Sequence, residues 1–216
     1  MLKRDQAGLT LVEMLVAIVM FSIIVTGIYN VFRVHNLMAA KQEETTLMQQ
    51  ELLAAIVQIS EDLRMCGYSP NGGTVFRFIG TESDGRGTNQ TSVYCTKDTL
   101  LENGVVDDDD NATEHAGYRL NVQHNGAPLV SPDNTLHRYV PYANATKWVL
   151  AATNISDLQF EYLDADGDII PDPTANANEI RTVQITATAI PSARRSGLGI
   201  GNRTMTTSVQ CRNLDL

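Results

Sequence analysis

The residues of this sequence that could perform chemistry are dispersed. No two of its four histidines have the spacing of a metal-binding pair such as His-x3-His; they are His35, His115, His124 and His137. No serine or cysteine lies in a nucleophile motif. The sequence gives no sign of a catalytic centre, and we predict that the chain is not an enzyme.

Two acidic clusters are the remaining candidates for a cofactor site. Asp164, Asp166 and Asp168 alternate around a turn glycine, and Asp172 follows them. Carboxylates at alternate positions resemble part of a calcium loop, although the bidentate Glu of a complete loop is absent. The second cluster is residues 107–111, four aspartates and an asparagine. Ca²⁺ is therefore the one cofactor that the sequence suggests, and a solvated aspartate turn is the alternative for both clusters.

A single carboxylate interrupts a long apolar segment near the N-terminus. In residues 9–29 the only polar side chains are those of Thr10, Glu13, Ser22 and Thr26. About 20 apolar residues span a bilayer as a helix, and the preceding Lys3 and Arg4 predict that the N-terminus stays in the cytoplasm. A carboxylate in hydrocarbon costs about 3 kcal/mol on insertion scales and is rarely left without a partner. Glu13 is thus a candidate functional residue; the alternative is an interfacial carboxylate of an ordinary anchor.

The run Gly-Leu-Thr-Leu-Val-Glu at residues 8–13, behind a short basic leader, resembles the class III signal of type IV pilins and type II secretion pseudopilins. The resemblance implies that a prepilin peptidase cuts between Gly8 and Leu9 and methylates the new N-terminus. It also implies that Glu13, fifth in the mature chain, pairs with the N-terminal amine of a neighbouring subunit. Such a pair offsets two charges only when the subunits stack in register. Leu9 departs from the Phe that is most frequent in the family.

Helical spacing continues beyond the apolar segment. Apolar residues at steps of four, three, four and three form one helix face; they are Leu52, Ile56, Ile59, Leu63 and Cys66. Gly67 predicts a C-terminal cap, with Pro70 shortly after it. We predict one nearly continuous helix over residues 9–66, whose amphipathic second half packs on the globular domain. A free coiled coil is less favoured, because the seam covers barely two heptads.

After Pro70 the hydrophobic period changes to two, which is typical of strands with one buried face. The predicted strands are 74–79, 92–97, 117–123, 136–142, 147–152, 157–163, 181–190 and 204–212. The fold class predicted is α+β and pilin-like, with a long N-terminal helix packed against a C-terminal antiparallel sheet. The net charge of −9, with scattered basic residues, argues against nucleic acid as a partner.

Residues 61–70 resemble the end of the long helix in PilW-like minor pilins. The last three strands and the closing residues 212–214 resemble the C-terminal half shared by PilW-like proteins and J-type pseudopilins. In an oxidising periplasm the three cysteines permit one disulfide. Cys66–Cys95, the candidate pair, would close a short loop, whereas Cys95–Cys211 would link two strands, and the sequence does not decide between them.

These features predict a minor pilin that takes part in the initiation or tip assembly of a type IV pilus. The predicted parts are a leader (1–8), a transmembrane and filament-core helix (9–34), its amphipathic continuation (35–68) and a β-rich head (69–216). The resemblance implies as partners other major and minor pilins, prepilin peptidase and the inner-membrane assembly platform. The expected location is the bacterial inner membrane, single-pass, with the C-terminal domain in the periplasm, before assembly into a pilus or pseudopilus. The alternatives are a J-type minor pseudopilin of type II secretion and a single-pass anchored, calcium-dependent adhesin.

Overall fold

A computed structural model describes residues 10–70, 77–81, 87–98, 114–120, 134–140 and 148–214. The helix and strands within these ranges are α1 (Leu11–Arg64), β1 (Ser92–Thr96), β2 (His115–Leu120), β3 (Leu136–Tyr139), β4 (Trp148–Ala152), β5 (Ile155–Leu163), β6 (Thr182–Ala189) and β7 (Arg203–Gln210). The chain divides into two compact units, Met1–Glu44 and Thr45–Leu216. The single long helix contributes to both.

The predicted continuous helix is confirmed. α1 runs for 54 residues, which corresponds to about 80 Å at 1.5 Å per residue. It ends just before Gly67, whose φ of +77° lies in the left-handed region that favours glycine after a helix. A Cβ at this position would lie 2.3 Å from Cδ2 of Leu214, so a side chain there would also have to displace the Leu214 side chain.

The apolar face predicted for the second half of α1 is buried. The exposed fraction is 4% or less for Leu52, Ile56, Ile59, Leu63 and Cys66. Met48 and Ala55 extend this face towards the N-terminus and belong to the same core. Each fully buried Leu or Ile contributes about 1.5–3 kcal/mol, so this face is the main attachment of the helix to the strands.

The α+β class is confirmed, but the prediction of a single sheet is wrong. The strands form two antiparallel sheets, one ordered β1-β2-β3-β4 and the other β5-β6-β7. Between β4 and β5 the chain turns at Asn154, whose φ is +59°. β5 then pairs along its whole length with β6 instead of extending the first sheet. Both sheets contribute side chains to the core that covers α1.

From residue 92 onward each predicted strand overlaps an observed strand, but burial alternates clearly in the second sheet and not in β1 or β2, where four consecutive residues are buried. The best case is β6, in which Val183, Ile185, Ala187 and Ala189 are buried and the residues between them are partly exposed. Parts of four predicted strands lie outside the described part of the chain, namely residues 74–76, 121–123, 141–142 and 147. Phe78 makes an isolated antiparallel bridge to Cys95.

A disulfide joins Cys66 to Cys95, with the two Cα atoms 5.7 Å apart. It connects the turn after α1 to β1, and it is one of the two pairings that the sequence left open. Cys211 is a buried thiol. Next to this linkage, the side-chain amide of Asn213 donates to the carbonyl oxygen of Arg64 at 3.0 Å, which satisfies one of the carbonyls left over at the helix end.

We expect residues 33–216, without the apolar segment, to fold alone as an α+β domain, because the buried face of α1 and both sheets are retained. Circular dichroism and a cooperative melt would show this. The matched control is residues 69–216, which lack the whole buried helix face and should not fold. A disordered or wholly helical product from 33–216 would contradict the prediction.

Candidate functional site: the N-terminal helix and its carboxylate

The first part of α1 is apolar on every side. The large apolar side chains of residues 11–38 are all exposed, from Leu11 at 82% to Leu37 at 44%. An 18-residue window of the helix has a mean hydropathy of 2.5, and none of this window is buried. By length and composition it can cross a membrane, and it is the one such helix within the described ranges. A surface of this kind needs lipid or other protein to cover it.

Glu13 lies in a capping box at the start of α1. The backbone N–H and the hydroxyl of Thr10 donate to Oε2 of Glu13 at 2.9 and 3.0 Å, and the N–H of Glu13 approaches the Thr10 hydroxyl oxygen at 3.3 Å. This reciprocal arrangement gives hydrogen-bond acceptors to backbone N–H groups that have none within the first turn of the helix. The helix dipole also favours an anion at this end. This capping role is not among the predictions above, although Thr-x-x-Glu before an apolar run is its sequence signature.

The capping box directs the Glu13 carboxylate to the N-terminal end of its own helix. Gly8 and Leu9 lie outside the described residues. In a mature chain that begins at Leu9, however, the amine is only one residue before Thr10. Both Thr10 donors bond to Oε2, and an ionised carboxylate has a second acceptor oxygen. Glu13 can therefore cap its helix through Oε2 and accept a hydrogen bond from an amine at this end through Oε1.

A second polar constellation is buried inside the C-terminal unit. The Asp62 carboxylate accepts hydrogen bonds from Lys97 Nζ at 3.1 Å, from the Tyr118 hydroxyl at 2.5 Å and from Arg138 Nε at 3.0 Å. Asp62 is 8% exposed and Tyr118 is fully buried. The three donors come from the residue after β1, from β2 and from β3, respectively. This Asp62 cluster therefore fastens three strands of the first sheet to α1.

The pKa shifts of Tyr118 and Arg138 support a structural role for the Asp62 cluster. Burial first, and then the charge of Asp62, raises the pKa of Tyr118 well above its ordinary value. For Arg138, burial is the largest cause and acts to lower the pKa, but the charges of Asp62 and Tyr118 and the hydrogen bonds to them together outweigh burial, and the pKa is raised. Tyr118 thus remains a hydrogen-bond donor at neutral pH. Its contribution to stability is present below the ordinary tyrosine pKa of about 10 and is lost as the pH rises above that value.

The predicted calcium loop uses its carboxylates to hold turns. Oδ1 of Asp164 accepts the backbone N–H groups of Asp166 and Asp168, both at 2.9 Å. Oδ1 of Asp172 accepts those of Thr174 and Ala175, both at 3.1 Å. Within the described part of the chain, no three His, Cys, Asp or Glu residues are placed to hold a metal. The second acidic cluster, residues 107–111, lies outside that part.

Calcium binding at this loop, which the sequence suggests, is open to a direct test against the alternative of a solvated aspartate turn. Because Asp164 and Asp172 already accept backbone amides, we expect the chain to melt at the same temperature in millimolar calcium and in chelator. A ligand at a hundredfold excess over its Kd would add about 2.7 kcal/mol, so binding would be easy to detect. A calcium-dependent rise that Asp166→Ala abolishes would instead establish the site.

Comparison with known proteins identifies one motif. The prokaryotic N-terminal methylation motif matches residues 3–29, which include Gly8, Leu9 and Glu13. No curated protein and no solved structure matches the chain. The motif supports a pilin or pseudopilin class, which is structural rather than enzymatic, and it implies processing by a prepilin peptidase and association with pilins at the membrane. Together with the apolar part of α1, it fits single-pass anchoring in the inner membrane.

Proposed function

We propose that this chain is a minor pilin that helps to assemble a type IV pilus, by initiating the filament or by occupying its tip. The proposal rests on three features that coincide at the N-terminus. The methylation motif over residues 3–29 coincides with an exposed apolar helix whose first turn holds a carboxylate. A helix that served only as an anchor could use Glu13 as a cap but would not need a processing site.

Glu13 would set the register between subunits. Apolar helices gain little by leaving lipid for each other, since lipid tails are as apolar as leucine side chains. A charge pair in hydrocarbon is different, because each unpaired partner is costly there. A Glu13 carboxylate that meets a neighbour's N-terminal amine would thus favour one axial position of the two helices.

The resemblance of residues 61–70 to PilW-like proteins supports a minor pilin of a pilus. The alternative is a J-type minor pseudopilin. The C-terminal resemblance, in which Asn213 bonds to the end of α1, is shared by PilW-like proteins and J-type pseudopilins and does not distinguish them. The two differ in their companions. Crosslinking to the minor subunits of a pilus, rather than to those of a secretion pseudopilus, would support the assignment as a minor pilin.

Substitutions at Glu13 test the proposal and separate its two roles. Glu13→Gln removes the charge but keeps a side chain that can complete the capping box, whereas Glu13→Val removes both. We expect both variants to insert in the membrane and both to lose at least about tenfold in incorporation into sheared filaments, equivalent to about 1.4 kcal/mol.

The matched control is Ser22→Ala, which removes a polar group from the same segment without changing charge. The Ser22 hydroxyl donates to the Val19 carbonyl of its own helix, so we expect normal incorporation. Normal incorporation of Glu13→Gln beside a defective Glu13→Val would assign Glu13 to capping alone and would defeat the register mechanism.

A further inference from the structure

β7 forms an open edge of the second sheet. Its pairing with β6 is regular from Ala189↔Arg203 to Thr182↔Gln210, without a bulge. No strand in the described part of the chain pairs with its other side. Its eight residues include no proline, lysine, aspartate or glutamate. Proteins usually protect such an edge with a bulge, a proline, an inward charge or a cover, and β7 has none of the first three.

The register shows which backbone groups face outward. The N–H of Cys211 donates to the carbonyl oxygen of Arg181 at 2.9 Å. Hydrogen-bonded and non-hydrogen-bonded pairs alternate in antiparallel sheets, so alternate backbone groups of β7 point away from β6. The N–H and C=O groups that point outward are those of four exposed residues, Thr204, Thr206, Ser208 and Gln210. The outer edge thus presents a row of donors and acceptors at strand spacing.

Charge is segregated around this edge. Residues 180–214 hold five arginines and no acidic residue, and the rest of the chain holds 11 basic against 25 acidic residues, a net charge of −14. Arg203 begins β7 and Arg212 follows its end, and both are exposed. Arg203 and Arg212 therefore flank the outer edge of β7, in a part of the chain whose only charged side chains are arginines.

We propose that the outer edge of β7 binds an extended, acidic segment of a partner protein, which adds to the sheet as a further strand. Backbone pairing at a free edge is a recurrent mode of peptide recognition, and the arginines at both ends select an acidic segment. Pairing of two copies through β7 is disfavoured, because it would bring two arginine-rich edges together. The inference is independent of the role of the N-terminal helix.

The test uses the full chain in detergent micelles. The probe is a fluorescein-labelled nine-residue peptide that alternates glutamate with valine or threonine, and binding is followed by anisotropy. We expect saturable binding that is lost when lysine replaces glutamate. Methylation of alternate backbone nitrogens on the peptide should weaken binding about tenfold, because it removes main-chain hydrogen bonds but no charge.

Two substitutions at one position give the matched test on the protein. Ser208→Pro removes an outward N–H and leaves the ladder to β6, whereas Ser208→Ala keeps that N–H. We expect about tenfold weaker binding for Ser208→Pro and unchanged binding for Ser208→Ala, with identical circular dichroism. If the Ser208→Pro variant does not fold, binding of the methylated peptide to the unchanged chain tests the main-chain pairing instead.

Three results would overturn the proposal. The first is the absence of saturable binding of the acidic peptide. The second is equal affinity for the parent and methylated peptides, which would reduce the contact to charge alone. The third is tighter binding of a DNA duplex of equal length, which would make the arginines a phosphate surface.

Discussion

Replacing Asp62 by alanine is expected to destabilise the C-terminal unit by about 3–5 kcal/mol, the range observed when one partner of a buried ion pair is removed. Lys97 and Asp62 have side chains that are each 11% exposed, so the ammonium group would lose its counter-charge where water cannot fully replace it. The side chain of Arg138 is more exposed, at 33%, so water can replace more of its lost interaction with Asp62 than it can for Lys97. Against a typical total stability of about 5–15 kcal/mol, this loss is large.

Unfolding of the detergent-solubilised chain in urea, followed by the fluorescence of Trp148, measures this effect. The chain has one tryptophan, and it is buried. Glu61→Ala is the matched control, because it removes the exposed acidic neighbour and should change stability by no more than about 0.5 kcal/mol. Tyr118→Phe should fall between them, since it removes one hydrogen bond to a charged group, about 1.5–3 kcal/mol. Equal midpoints for Asp62→Ala and Glu61→Ala would show that the cluster does not fasten the sheet.

The long helix and most strands could be predicted because their signals are local. The face from Leu52 to Cys66 repeats at helical spacing, and Gly67 marks the end of α1 within a few residues. In β6 the alternation of Val183, Ile185 and Ala187 with polar residues fixes which face is buried. Such periodicities are properties of neighbouring residues and need no knowledge of the rest of the chain.

The Asp62 cluster could not be predicted, because its donors lie 35, 56 and 76 residues further along the chain. The division into two sheets depends in the same way on long-range pairing, because β5 pairs with β6 and not with β4. The capping box of Thr10 and Glu13 differs from both. Its signal is local and could have been recognised, but Glu13 was interpreted only in terms of its charge in an apolar segment.

We expect Gly8→Arg to abolish processing of the N-terminus, an all-or-none effect. A small residue before the cut lets the chain enter an active site at the membrane surface, and a long charged side chain there would not. The uncut chain would keep its leader and lack the amine that Glu13 is proposed to meet, so incorporation into filaments should fail as well. Gly8→Ala, which keeps a small side chain, is the control and should still be cut.

The N-terminal mass of the mature protein tests the central claim most directly. Intact-mass and peptide mass spectrometry of the chain from membranes should find a single N-terminus, at Leu9, carrying one methyl group on its amine. The same measurement on Gly8→Arg should find the leader still attached. A mature wild-type chain that begins at any residue other than Leu9, or that retains Met1 through Gly8, would contradict the assignment.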